Sequence, residues 1–274
     1  MPQVINTNLM SLNAQRNLHT NSSSLATAVQ RLSSGLRVNS AKDDAAGLAI
    51  AERMNTQIRG MNVAIRNAND GISLAQTAEA SLGQIGEMAQ RMRELAVQSA
   101  NATNTDDDRA NLDAEYQQLA QEITRTIAST TFNGLAILAG DAGTQNFQVG
   151  AGSDAAINAI SITTTDLSGA TEVTAVTGGS IATAADASTA MDDIESLIDL
   201  ITTERATYGA AQNRFESVIS NLQSAVESQT AARSRIMDAD FAAETAAMTR
   251  AQVLQQAGTA MLAQANQMPN TVLQ

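Results

Sequence analysis

The chain contains no cysteine, so neither a disulfide nor thiolate chemistry is open to it in any compartment. Aromatic residues are only 2% of its 274 positions, and aromatics normally supply the large contributions to a compact core. Apolar content is ordinary at 43%, but much of it is alanine, so each buried side chain covers little area. That suggests a rod of helices meeting along thin seams. There is one lysine, Lys42, and one histidine, His19, in different segments, which leaves almost nothing from which to build acid–base or nucleophilic catalysis. His19 has no acid near it in sequence and reads as a solvated or interface side chain. Neither an HExxH zinc motif nor a P-loop is present, and no cofactor is implied. No window of about twenty apolar residues exists, so no membrane-spanning helix is expected. Residues 1–10 lack the basic start and apolar run of a cleavable secretion signal, which points to the cytoplasm or to export by another route. Basic residues are scarce too: 16 Lys and Arg stand against 28 Asp and Glu, a net charge of −12. That balance argues against nucleic acid, whose phosphates need basic partners, and disfavours anionic membrane surfaces.

What is present is helical periodicity. The organising stretch runs from Gly47 to about Ala100, with apolar residues at Met54, Ile58, Met61, Ile65, Ala68, Ile72 and Ala75 in steps of four and three. This is a heptad seam on a helix about fifteen turns long, uninterrupted by proline. Strict register would next place Glu79 and Gly86 in the seam. The pattern instead slips by three and resumes as Ala78, Leu82, Ile85, Ala89 and Met92, so helix contacts are expected but not one uniform coiled coil. Asp106, Asp107 and Asp108 open a second helix striped with Leu112, Tyr116, Leu119, Ile123 and Ile127. The Asp run lacks the glycine and terminal glutamate of a calcium loop, and a helix start is the better account. Residues 132–185 hold half of the sixteen glycines and short β-prone runs, Asn146 to Val149 and Ile160 to Thr163, which predict one or two small hairpins.

Helix returns from about Ser188. Its 3–4 pattern includes Ile194, Ile198, Ile201, Tyr208, Phe215 and Ile219, with polar members Arg205, Gln212, Gln229 and Arg233 that fix register or lie at exposed ends. The two ends mirror each other. Met1 to Leu36 carries Ile5, Leu9, Leu12, Leu18, Leu25, Val29 and Leu32 on a helical period without any acid, and is expected to be mobile alone. Phe241, Met248, Ala251, Leu254, Met261 and Ala265 stripe a last helix, ended by Pro269. Between them, Asn39 and Ser40 favour a turn, and Lys42-Asp43-Asp44 caps the next helix rather than serving as an acid–base group. The fold class is mainly α: a long antiparallel coiled-coil-like rod with a small β-hairpin region and paired terminal helices. Residues 1–42 with 236–274 form a discontinuous terminal domain. Residues 43–235 form the rod, including the glycine-rich insert at about 132–185. Terminal seams rich in Ala, Gln and Ser leave apolar faces unburied, and self-association is the natural completion.

Long motifs now point to a family. RLSSGLRVNSAKDDAAGLAIAERM at 31–54, NDGISLAQTAE at 69–79, QRMRELAVQSAN at 90–101 and TFNGL at 131–135 closely resemble the signatures of bacterial flagellins. The resemblance covers nearly the whole chain. It departs in the middle, where the large variable outer domains of many flagellins are missing and a peptidase, carried there by some, has no room. The resemblance implies an extracellular filament subunit for swimming motility, with the terminal helices forming the inner tubes. It also implies export unfolded through the flagellar type III apparatus, a secretion chaperone on the C-terminal helix and a filament cap. Assembly would rest on Ile5, Leu9, Leu12, Leu25, Val29, Leu32, Phe241, Met248, Leu254 and Met261. Recognition by an innate immune Toll-like receptor is implied as well, at Arg91, Leu95 and Glu115. Arg91 and Leu95 are four apart and share a helix face, which Glu115 joins if the second helix folds back. That same face is also expected to pack against the adjacent subunit. The alternatives are a hook–filament junction protein of the same superfamily, which caps rather than propagates assembly, and a secreted adhesin or immune ligand.

Overall fold

The computed structural model describes residues 7–267, so Ile5 and Pro269 lie outside the described residues. The fold is mainly α. Its elements are α1 (Leu9–Ser34), α2 (Ala45–Ser99), α3 (Asp106–Ser129), β1 (Thr131–Phe132), β2 (Leu135–Ala136), β3 (Thr144–Gln148), α4 (Ala155–Asn158), β4 (Ala159–Thr163), α5 (Thr171–Gly178), α6 (Ala184–Met237) and α7 (Phe241–Gln267). By its contacts the chain divides into residues 1–58 with 227–274, and residues 59–226. The division falls inside α2 and α6 rather than at a turn.

In the unit 59–226, α2 and α6 run antiparallel. Gly71 of α2 faces Phe215 of α6, and Arg93 pairs with Glu195 at 3.1 Å. The slip expected in the seam does not occur: the buried row runs Met61, Ala64, Ala68, Gly71, Ala75, Ala78, Leu82, Ile85, Ala89 and Met92 in unbroken steps of three and four. Ile65 and Ile72, expected in the seam, are only half-buried. Beside Ala75 and Ala78 a polar contact flanks the apolar row, Gln212 Nε2 donating to Glu79 Oε2 at 3.1 Å with Arg205 3.7 Å from the same carboxylate. These two polar members of the α6 pattern therefore tie α6 to α2, as expected of register-setting residues. Three seam positions need correcting: the buried residues are Leu197, Glu204 and Ala211, not Ile198, Arg205 and Gln212. Arg205 is half exposed, and Glu204 beside it is the buried residue, its carboxylate accepting from the Thr165 hydroxyl. The insert packs on that side of α6 and turns its buried arc by one residue.

The insert contributes to this core through Ile137, Leu138, Ile160, Ile162 and Leu167. Its two sheets are antiparallel pairs, β1–β2 and β3–β4, the latter in register from Thr144↔Thr163 to Gln148↔Ala159. Phe147 of β3 meets Phe215 edge to face, 5.3 Å between centroids. Both rings close over Gly71, where a Cβ would lie 2.6 Å from Phe215 Cζ, so only glycine admits this contact without displacing a rigid ring. Two short helices inside the insert, α4 and α5, have no counterpart in the sequence reading.

In the unit formed by 1–58 and 227–274, α1 and α7 pair antiparallel along their length. Asn8 Nδ2 donates to Ala265 O at 2.7 Å, Asn21 Nδ2 to Ala251 O at 2.7 Å, and Arg31 Nη1 to Glu244 Oε1 at 2.9 Å. Past the helix ends the connectors clasp one another: Arg37 N donates to Met237 O and Ala239 N to Gly35 O. Asp44 caps α2 as expected, accepting from Gly47 N at 2.8 Å. Asp43 does not; it accepts from Asn39 N, Ser40 N and Ser40 Oγ, which fold the turn and hold its carboxyl below the usual range. The Asp106 run is the start of α3, closed by a capping box between Thr105 and Asp108.

Candidate self-assembly surface and receptor face

The pairing of α1 with α7 is built from small side chains. The buried residues are Ser11 and Ala28 on α1 and Ala251 and Ala265 on α7. Gly258 completes the α7 row, and a Cβ there would lie 2.6 Å from Leu18 Cδ2, so the helices approach closely. Each buried methyl is worth roughly 0.8 kcal/mol, so the seam is thin for two helices of 26 and 27 residues.

Many of the large apolar side chains of these helices point elsewhere. Leu9 is 72% exposed, Leu12 48%, Val29 48%, Phe241 64%, Leu254 53% and Met261 64%. Leu25, Leu32 and Met248 are half-buried. The residues grouped as one stripe from the sequence thus separate: Leu18, Leu25 and Leu32 continue the seam, while Leu9, Leu12 and Val29 stand in solvent. Sequence reasoning missed Met10 and Val253, 60% and 58% exposed, which extend the open face. It placed Leu18, Leu25, Leu32, Ala251 and Ala265 of the seam but missed Ser11, Ala28 and Gly258. The signal was there, as Ser11, Ala14, Leu18, Asn21, Leu25, Ala28 and Leu32 alternate steps of three and four, and Ala251, Gly258 and Ala265 repeat every seven. A shallow groove on α7, lined by Thr245, Ala246, Thr249, Arg250, Val253 and Leu254, lies on the open face.

Charge is divided as unevenly as hydrophobicity. Residues 1–58 and 227–274 carry eight basic and seven acidic side chains, and residues 59–226 carry eight and twenty-one. The unit holding the open apolar face is nearly neutral, and almost all of the negative charge belongs to the other.

On α2 and α3 the second candidate surface takes shape. Arg91 donates through Nε and Nη2 to Glu115 Oε1 at 3.0 and 2.9 Å, and through Nη1 to Glu94 Oε2 at 2.8 Å. The hydrogen bonds to Glu94 and then Glu115 raise the Arg91 pKa further. α3 does fold back, and Glu115 does meet Arg91. Leu95 does not share their exposure: it is 1% accessible, in the core between α2 and its neighbours. Four residues on a helix turn about 40° past a full circle, and here that rotation carries position 95 across the edge of the buried arc. The surface at this level consists of Arg91, Glu94 and Glu115, with Leu95 holding the helix from beneath.

Comparison with known proteins agrees with this architecture. The family model for the bacterial flagellin N-terminal helical region matches residues 5–143, and that for the C-terminal helical region matches residues 191–274. A flagellin of Halalkalibacterium halodurans is 47% identical over 271 residues, covering 99% of this chain and 98% of that protein. Flagellin A of Vibrio anguillarum is 33% identical over 375 residues, covering 100% and 99%. The crystal structure of Bacillus cereus flagellin matches with a TM-score of 0.50 at 34% identity, over 57% of this chain and 88% of that one. A hook-associated protein of Vibrio parahaemolyticus shares the fold at a TM-score of 0.59, with 12% identity over 72% of this chain and all of that one.

A mainly helical chain with paired ends, a thin seam between them and large apolar side chains left in water belongs to the structural, self-associating class. The chain is a member of the bacterial flagellin family, in a short form of 274 residues. It is a subunit of the extracellular flagellar filament, a structural protein and not an enzyme.

Proposed function

We propose that copies join through the open faces of α1 and α7, with Leu9, Leu12, Val29, Phe241, Leu254 and Met261 as the side chains covered on assembly and Ile5 continuing the set. In this reading residues 1–42 and 236–274 form the inner tube of the filament. The observation that carries it is the set of large apolar side chains this helix pair leaves in solvent beside a thin seam of mostly small residues, which leaves much of the hydrophobic contribution to be collected between molecules. The test is electron microscopy of the salted-out full chain beside a copy trimmed of 1–42 and 236–274. Long helical filaments from the full chain alone support the reading. A full chain that only caps preformed filament ends would make it a junction protein instead.

The same thin seam supports export in an unfolded state by the flagellar type III apparatus, with a chaperone holding α7 until release and a cap guiding insertion at the filament tip. Little burial has to be undone to separate α7 from α1.

The face of Arg91, Glu94 and Glu115 supports a second role, recognition of the free monomer by a Toll-like receptor. All three side chains are accessible in the single chain, and a neighbouring subunit packed on this face would hide them from the receptor. Monomer carrying Arg91→Ala should fold normally and signal weakly. Undiminished signalling from that monomer would remove Arg91 from the recognition site.

A further inference from the structure

Asn133 and Gly134 form the two-residue tip between β1 and β2, and they are the only Asn-Gly pair in the chain. Their φ angles are 50° and 83°, both left-handed, as a tight hairpin turn of this length requires. Asn133 is the one non-glycine residue with positive φ among the described residues. Both residues are exposed, and the Gly134 N–H donates to no acceptor among the described residues. A Cβ at Gly134 would meet nothing within 4 Å, so its nitrogen is open to approach. Every other asparagine is followed by a residue with a side chain, which crowds that nitrogen. Only two residue pairs hold the hairpin, Thr131↔Ala136 and Phe132↔Leu135, and so short a ladder opens readily.

We infer that Asn133 is a site of spontaneous covalent modification, converting to aspartate and isoaspartate through a cyclic imide with Gly134. The Gly134 nitrogen attacks the side-chain amide carbon of Asn133. A C–N bond forms, the amide C–N bond breaks, and ammonia leaves with the proton from the glycine N–H. Water then adds to either carbonyl of the five-membered ring. One opening restores the normal backbone as aspartate; the other routes the chain through the side chain as isoaspartate. The net reaction consumes one water and releases one ammonia, with no oxidant or cofactor. The left-handed turn must open for the attack, so fraying of the two-pair hairpin sets the pace.

The isoaspartate product matters because it adds a methylene to a loop sized for two residues, which destroys the β1–β2 register. Ile137 and Leu138, 3% and 1% exposed, follow directly and transmit the change to the core. Either product adds a negative charge to the unit already bearing twenty-one acids against eight bases. A filament subunit stands outside the cell, beyond cytoplasmic repair, so the conversion accumulates as a record of age.

The experiment ages the purified full chain in warm, mildly alkaline buffer. Cleavage before aspartates then isolates residues 113–140, whose sole asparagine is Asn133, from unreacted and isoaspartyl chains, and adds a cut before residue 133 wherever aspartate has formed. Mass spectrometry reads the amide-to-acid gain, and isoaspartyl methyltransferase labelling reads the rearranged backbone. Residues 113–140 should convert several-fold faster than peptides containing Asn146 or Asn158, and the melting temperature should drift downward in step. Asn133→Gly keeps the left-handed turn and removes the amide, so it should carry no label at this site and hold its melting temperature. Conversion of Asn146 or Asn158 at an equal or greater rate overturns the assignment. An Asn133→Gly chain that drifts as the parent does overturns its structural consequence.

Discussion

Replacing Leu9, Leu12, Leu254 and Met261 by serine should disable association while leaving the single chain folded. Full burial of such a side chain is worth about 1.5–3 kcal/mol. These four are between 48% and 72% exposed in the single chain, so roughly half of that remains to be gained when a neighbour covers them. Taken together the four substitutions remove about 3–6 kcal/mol from the addition of a subunit. At about 1.4 kcal/mol per tenfold, the critical concentration should rise roughly a hundred- to ten-thousandfold. Surface substitutions away from buried contacts change folding stability by only about ±0.5 kcal/mol, so circular dichroism and denaturant unfolding should match the parent. The assay is sedimentation of seeded polymer across a concentration series, the protein left in solution giving the critical concentration. An unchanged critical concentration with normal unfolding would refute the reasoning, because these side chains would then face solvent in the filament as well.

Assembly should strengthen with ionic strength. The repulsion resides in residues 59–226, with eight basic and twenty-one acidic side chains, and salt screens such charges over about 8 Å at physiological strength. A critical concentration that climbs steadily with salt would mean that attraction between charges on neighbouring subunits dominates. The two tyrosines offer a pH test of the same unit. Burial, the larger cause in each, pushes Tyr116 and Tyr208 up to about 12 from 10.0. With the folded value above the unfolded one, their contribution to stability is whole below about pH 10 and is lost as pH climbs toward about 12. Tyrosinate absorbance should therefore appear together with unfolding rather than before it; a tyrosine that ionises in the folded chain near pH 10 would contradict its burial.

Much of this architecture was legible in the sequence because it is written in local periodicity. Steps of three and four locate a helix face without knowledge of what covers it, so the long helices and their breaks could be read directly. Which of two adjacent rows is buried could not, Ala64 and Gly71 being covered where Ile65 and Ile72 were expected. The acids that cap α3 and α2 follow the same local logic. The glycine-rich insert was readable as short strands, but α4 and α5 were not, since helices of four and eight residues leave too few turns for a period.

The tertiary structure decided which of several plausible faces is occupied. A helix touched by one neighbour buries a narrow stripe, and one touched by two buries a wide arc whose edges depend on chain far away in sequence. That is why Glu204 rather than Arg205 is buried on α6: its partner Thr165 is 39 residues distant. It is also why Leu95 lies in the core while Arg91, one turn earlier, stays in water. On α1 and α7 the difficulty was one of contrast. Leucines lie on both faces of α1, Leu18, Leu25 and Leu32 in the seam and Leu9 and Leu12 outside it, so hydrophobicity does not separate the face used within the molecule from the one left for others. Small residues such as Ser11, Ala28, Ala251, Gly258 and Ala265 mark the inner face, because there the two backbones approach closely. The sequence by itself determined the helices, their order and the family; only packing determined which residues meet within the chain and which are left for the next subunit.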